Sequence, residues 1–163
     1  MANGFVNDDL YVDGGIDCTT GVTFDSGSTY LNAYLEGTFT PVFSGAGTAG
    51  VGTYTAQFGF YTVVGNRCFI DYYCRISAHT GTGTLQGYIP FAAITSAGYN
   101  GTGAYQAQVV NHTGGAITAT TKFVSAAQYF RIVELIDNSA EASINIQNVN
   151  NFQFFTSAAY LLP

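Results

Sequence analysis

The sequence predicts an all-β protein: an antiparallel β-sandwich, a jelly-roll-like knob with an extended N-terminal arm. Three observations lead there. About eight short apolar runs recur at spacings of about 8–15 residues, separated by Gly, Asn, Ser and Thr, the signature of sandwiches and barrels. Of 163 residues, 47% are hydrophobic and 15% aromatic, ample material for a core, yet only 9% are charged, against about 25% in an ordinary soluble domain. Helical periodicity is nearly absent. The length suits one domain.

Residues 1–36 read as the arm. Six of the ten acids lie there (Asp8, Asp9, Asp13, Asp17, Asp25, Glu36), with no Lys or Arg. The other four acids (Asp71, Glu134, Asp137, Glu141) are balanced by Arg67, Arg75, Lys122 and Arg131, so the formal charge of −6 belongs to the arm. Its apolar islands, Phe5-Val6, Leu10-Tyr11-Val12, Val22-Thr23-Phe24 and Tyr30-Leu31, are too short to build a core and are expected to find partners elsewhere.

Residues 37–163 read as the knob. A Thr/Phe-rich strand is expected at 37–43, then a Gly/Ala loop at 44–52. Residues 52–64 are aromatic and β-branched, with Gly59 marking a bulge or a close backbone approach. Gly65-Asn66 supplies a tight turn into 67–77. There Cys68, Ile70, Tyr72, Cys74 and Ile76 share one face, while Arg67, Asp71, Arg75 and Ser77 lie on the other with Phe69 and Tyr73 among them. Two aromatics on a polar face point to a second covered surface, which in a small sandwich suggests a subunit interface at Phe69 and Tyr73. Further strands are expected at 84–89, 103–110, 117–123, 129–136 and 152–160, with a turn at His112-Thr113-Gly114-Gly115. Residues 140–151 fit a helical turn or a strand equally.

Composition and spacing exclude several function classes. An acidic chain lacks the cations that neutralise phosphates, so no nucleic-acid partner is expected. The N-terminal residues carry no basic and apolar signal regions, and no apolar run is long enough to span a membrane. Cys18, Cys68 and Cys74 are odd in number, and Cys68 and Cys74 share a strand roughly 20 Å apart, too far for a disulfide. They are expected to be buried thiols of a protein made in a reducing cytoplasm. His79 and His112 sit in Gly/Thr turns and read as solvent-facing. Glu134, Asp137 and Glu141 offer a carboxylate pair in principle, but three acids near a strand end read as a solvated edge. No nucleophile motif, zinc spacing or phosphate loop is present, so neither an enzyme nor a cofactor is expected. Asp8, Asp9, Asp13 and Asp17 are the one group with the chemistry to gather Ca²⁺, without an EF-hand pattern.

Three stretches carry a family resemblance. Leu35-Glu36-Gly37-Thr38-Phe39-Thr40-Pro41 resembles the Glu-Gly-Thr-(Trp/Phe)-Thr-Pro signature of C-terminal domains of phage tail fibres and related virion surface proteins. The run from Gly52 to Thr62, through Tyr54, Gln57 and Gly59, with Gly65-Asn66-Arg67 after it, is similar to that family's second stretch. Leu85-Gln86-Gly87-Tyr88-Ile89-Pro90-Phe91 resembles its third. The likeness covers roughly 14–93 well and the rest loosely, and the departures, Phe39 for Trp, Val63-Val64 for Lys-Ile and Tyr88-Ile89 for Leu, all suit a core. The resemblance implies a β-sandwich knob, commonly trimeric, on the outside of a phage particle, and it brings no catalytic residues. The expectation is therefore a homotrimeric capsid decoration (cement) protein, located on the outer capsid surface. The arm would grip the major capsid protein through Phe5, Val6, Leu10, Tyr11 and Val12. The alternative is a tail-fibre or head-fibre tip that binds a host cell-surface glycan. Decoration is favoured because the chain has no room for a fibre shaft.

Overall fold

Side-chain alternation along two long strands sets the architecture. The computed structural model describes residues 22–23, 30–31, 33–95, 101–108, 116–136, 140–146 and 151–163. The chain divides into units at 1–32 and 33–163. In the first, β1 (Val22–Thr23) pairs antiparallel with β2 (Tyr30–Leu31).

The second unit is built on a hairpin of β5 (Gly52–Val64) and β6 (Arg67–His79). Gly65 takes φ of 59° in the turn, a left-handed conformation that glycine adopts without a Cβ clash. Around this hairpin, sheet I runs β3 (Tyr34–Phe39), β5, β6, β13 (Phe152–Leu161), β9 (Tyr105–Gln108). Sheet II runs β4 (Phe43–Gly45), β7 (Leu85–Tyr88), β11 (Tyr129–Ile136), β10 (Ala116–Phe123), β8 (Thr102–Gly103), with β12 (Ala142–Ser143) also on β11. Every pairing is antiparallel. Successive strands mostly alternate between the sheets, as in a jelly roll, and no α-helix occurs among the described residues.

The core lies between the sheets. Cys68, Ile70, Tyr72, Cys74 and Ile76 from β6 meet Phe152, Phe154 and Tyr160 from β13, facing Phe123, Phe130, Ile132 and Leu85 of sheet II. Phe43 sits among them, edge-on to Tyr72 at 5.4 Å, Phe154 at 5.5 Å and Phe152 at 5.7 Å. Such edge-to-face pairs are worth about 0.5–1.5 kcal/mol each beyond the area they bury.

The chain changes sheets at both sides of the sandwich. β3 ends in sheet I and β4 begins in sheet II four residues later; β8 and β9, separated only by Ala104, do the reverse. The strand expected at 37–43 is therefore two strands with a corner at Thr40–Val42, and the expected loop at 44–52 gives Ser44 and Gly45 to β4. The run 103–110 is likewise split. Corners keep edge strands short, which limits unwanted pairing with other chains.

The first corner carries the sequence signature. Gly37 leaves space that the Tyr61 ring fills, and a Cβ on Gly59 would stand 2.7 Å from the Phe39 carbonyl oxygen. So Gly59 marks a close approach, while the register irregularity of β5 falls between Thr53 and Ala56. Gln57 Nε2 donates to the Pro41 carbonyl at 2.6 Å. Tyr72 OH donates to the Val42 carbonyl at 3.0 Å. Tyr54 OH donates to the Phe43 carbonyl at 3.1 Å and accepts from its N–H at 2.9 Å. Gly37, Phe39, Pro41, Tyr54, Gln57 and Gly59 of the signature thus support the crossing.

Two ends of the unit meet one turn. Gly65 N–H donates to the Ala33 carbonyl at 2.9 Å, and Leu162 N–H donates to the Asn66 carbonyl at 2.7 Å.

Candidate functional site

The site arises on the face of sheet I that points away from the core. The two-residue turn fixes the register of β5 on β6, and β13 lies on β6's other side. Three rows result: Phe58–Tyr73–Phe155, Phe60–Asp71–Ser157 and Thr62–Phe69–Ala159. Because alternate residues share a face, all nine project outward. Phe58, Phe60, Phe69 and Phe155 are exposed. Tyr73 is half-buried, stacked on Phe58 with centroids 5.9 Å apart and planes 24° apart.

Phe69 and Tyr73 stand on this outer face of β6, in the company of three phenylalanines to which the sequence alone assigns no role. Their signal is present in Phe58-Gly59-Phe60: counting back through the turn puts position 58 opposite 73 and position 60 opposite 71. Between Phe60 and Phe69 lies an open depression of about 460 Å³, with Thr62, Asp71, Ser157 and Ala159 on its surface. The Ser157 hydroxyl donates to the Asp71 carboxylate. At the rim Tyr34 OH donates to Glu36 at 2.7 Å, and that contact raises the phenol's pKa above its usual value. Arg67 and Arg75 stand at the two ends of the β6 row.

Other candidates fall elsewhere. Glu134, expected on a solvated edge, is 1% exposed; it alternates in phase with Phe130 and Ile132 and so points into the sandwich. Burial first, and then the charge of Glu134, push the Tyr105 phenol up to about 12. Glu141 is ion-paired with Lys122 at 2.5 Å, and Asp137 lies outside the described residues. Glu134 and Glu141 therefore form no shared cleft. His79, expected to face solvent, ends β6 half-buried. Gly81 N–H donates to its Nδ1 at 2.8 Å, so Nε2–H is the group that donates to the Phe43 carbonyl at 3.0 Å. Its two nitrogens serve the sandwich end, not chemistry. No group of three metal-ligating side chains occurs among the described residues.

Cys68 and Cys74 are free and buried, as expected. Burial raises both thiols, Cys74 to about 12. Cys18, the acids Asp8, Asp9, Asp13 and Asp17, the islands Phe5, Val6, Leu10, Tyr11 and Val12, and His112 lie outside the described residues.

The outer face of sheet II differs in character. Arg131 stacks over Tyr129 at 5.7 Å, with Tyr88 6.3 Å from Tyr129. It is a polar surface with aromatic islands, whereas sheet I exposes four phenylalanines around Asp71.

No family model and no curated protein matches the chain. Among solved structures, the crystal structure of the Dettilon tailspike protein matches with a TM-score of 0.55 over 78% of this chain, at 14% identity. The match covers 23% of the tailspike chain, so the likeness is to a minor part of that protein. At that identity the likeness is one of fold. The chain has an all-β antiparallel architecture similar to part of a phage tailspike.

Proposed function

We propose that this protein is a structural component of a phage virion, a sandwich module of the kind carried on tail fibres and tailspikes, acting as a homotrimer. The supporting observation is the fold likeness to a tailspike over most of the chain. The corner built from Gly37, Phe39, Pro41, Gln57 and Gly59 adds to it, because several of the residues that carry the family resemblance hold the chain's crossing between sheets. The working surface in this reading is the outer face of sheet I, which offers area rather than a reactive group.

Capsid decoration is the second reading. It is favoured by the acidic segment 1–36, whose carboxylates and apolar islands suit a basic, partly apolar groove on the major capsid protein. The two readings differ in stoichiometry. Quantitative mass spectrometry of purified particles is expected to find roughly a dozen copies for a tail appendage, as its few symmetric positions dictate; copies on the order of hundreds would instead indicate a shell protein. Absence from purified particles would refute both.

A further inference from the structure

We infer that the outer face of sheet I is where copies of this chain pack on one another, through Phe58, Phe60, Phe69 and Phe155 around Asp71. This rests on the homotrimer reading and deepens it by naming the face through which the copies meet. Exposed area points there first. The four phenylalanines are 58%, 53%, 46% and 43% exposed. At roughly 200 Å² for a whole aromatic residue, they leave about 400 Å² of ring surface in water. That already matches the largest patch of a typical monomer, about 300–600 Å². Tyr34 and Val64, also exposed on this face, together with Thr62, Arg67 and Arg75, bring it near the roughly 800 Å² each partner gives to a stable interface.

Residue type points the same way. Sugar-binding platforms rely on a polar tip or a wide indole beside the stacking face. Here four of the five exposed rings are phenylalanines, which gain only by exclusion of water. Such surface calls for a dry, protein-like cover.

The charge pattern agrees. Along β6 the outward residues read Arg67, Phe69, Asp71, Tyr73, Arg75: cation, ring, anion, ring, cation. Displaced by four residues along the row, a second copy sets Arg67 against Asp71, Phe69 against Tyr73 and Asp71 against Arg75. The row is complementary to itself. With Glu36 its formal charges cancel, Arg67 and Arg75 against Asp71 and Glu36, so the face escapes the repulsion expected from a chain of net charge −6.

The test is sedimentation equilibrium of the full chain at micromolar concentration. The wild type is expected to be oligomeric. Phe69→Ser with Phe155→Ser is expected to weaken association by at least about tenfold, as hot-spot truncations do, with the circular dichroism spectrum retained. Asp71→Arg is expected to weaken it as well. Adding Arg67→Glu, or else Arg75→Glu, should restore association for whichever arginine faces Asp71. Leu135→Ser, at an exposed site on sheet II, controls for general loss of apolar surface. Should the double serine variant prove unfolded, Asp71→Arg and its rescue carry the test. A monomeric wild type would overturn the proposal, as would variants of unchanged mass. If that monomer also bound a soluble polysaccharide through the same face, the surface would be a glycan platform instead.

Discussion

The carbonyls of Pro41, Val42 and Phe43 receive side-chain donors from Gln57, Tyr72, Tyr54 and His79, because the corner lies between sheets where no single strand can satisfy it. Backbone acceptors buried without partners are expensive. The described partners are unequal, and this gives a graded prediction. Val42's carbonyl also accepts from Tyr88 N–H at 2.9 Å, so Tyr72→Phe should cost about 1 kcal/mol. Gln57→Leu removes the side-chain donor at the Pro41 carbonyl and should cost more, about 1–3 kcal/mol. Urea unfolding of the two variants checks the order. Cys74 gives a pH prediction. Its thiol ionises near 9.0 unless buried and near 12 in the fold, so unfolding releases a proton in that window. Stability is intact below pH 9.0 and falls as pH rises towards 12, by about 1.4 kcal/mol per unit for each such group. Tyr72 and Tyr160, also raised by burial, add to the loss above pH 10. Unfolding measured at pH 8, 9 and 10 should show this slope, and Cys74→Ala should make it shallower.

At the scale of strands, legibility tracked how local the governing force was. The limits of β5 and β11 were readable because their residues alternate or branch at Cβ and a glycine or turn bounds them. The core face of β6 was readable for the same reason, down to Cys68 and Cys74. The corner at Thr40–Val42 was not, since what bends the chain there is Gln57 and Tyr72, distant in sequence. The charge of Glu134 points to solvent, while its phase with Phe130 and Ile132 turns it inward. Of the candidate site, Phe69 and Tyr73 were visible from one strand alone. Phe58, Phe60 and Phe155 needed register across three strands, which the Gly65-Asn66 turn supplies only once β5 and β6 are known to pair. The close approach of β3 to β5 gives an element-scale test. Gly59→Ala places a methyl 2.7 Å from the Phe39 carbonyl oxygen, which cannot yield without moving β3, and 2.8 Å from the Phe39 ring. It should destabilise by about 1–3 kcal/mol, as overpacking does, measured as a lower thermal midpoint.

For the molecule as a whole, the division at residue 32 separates an acid-rich segment from the unit that holds the described core residues. Deleting residues 1–13 should therefore leave the fold and the self-association intact while abolishing incorporation into particles that lack the protein. Decoration by the truncated chain equal to that by the full chain would show that the segment does not anchor. The shared turn at Gly65 and Asn66 bears on how such a unit carries load. Because the strands leading from Ala33 and towards Leu162 are both tied to that one turn, tension applied across the two ends of the unit enters and leaves at the same pole. It would unzip β3 and β13 bond by bond from that pole rather than shear them along their length. The sandwich then behaves under traction as a bead hung beside the line, shed at low force, and not as a link in the chain.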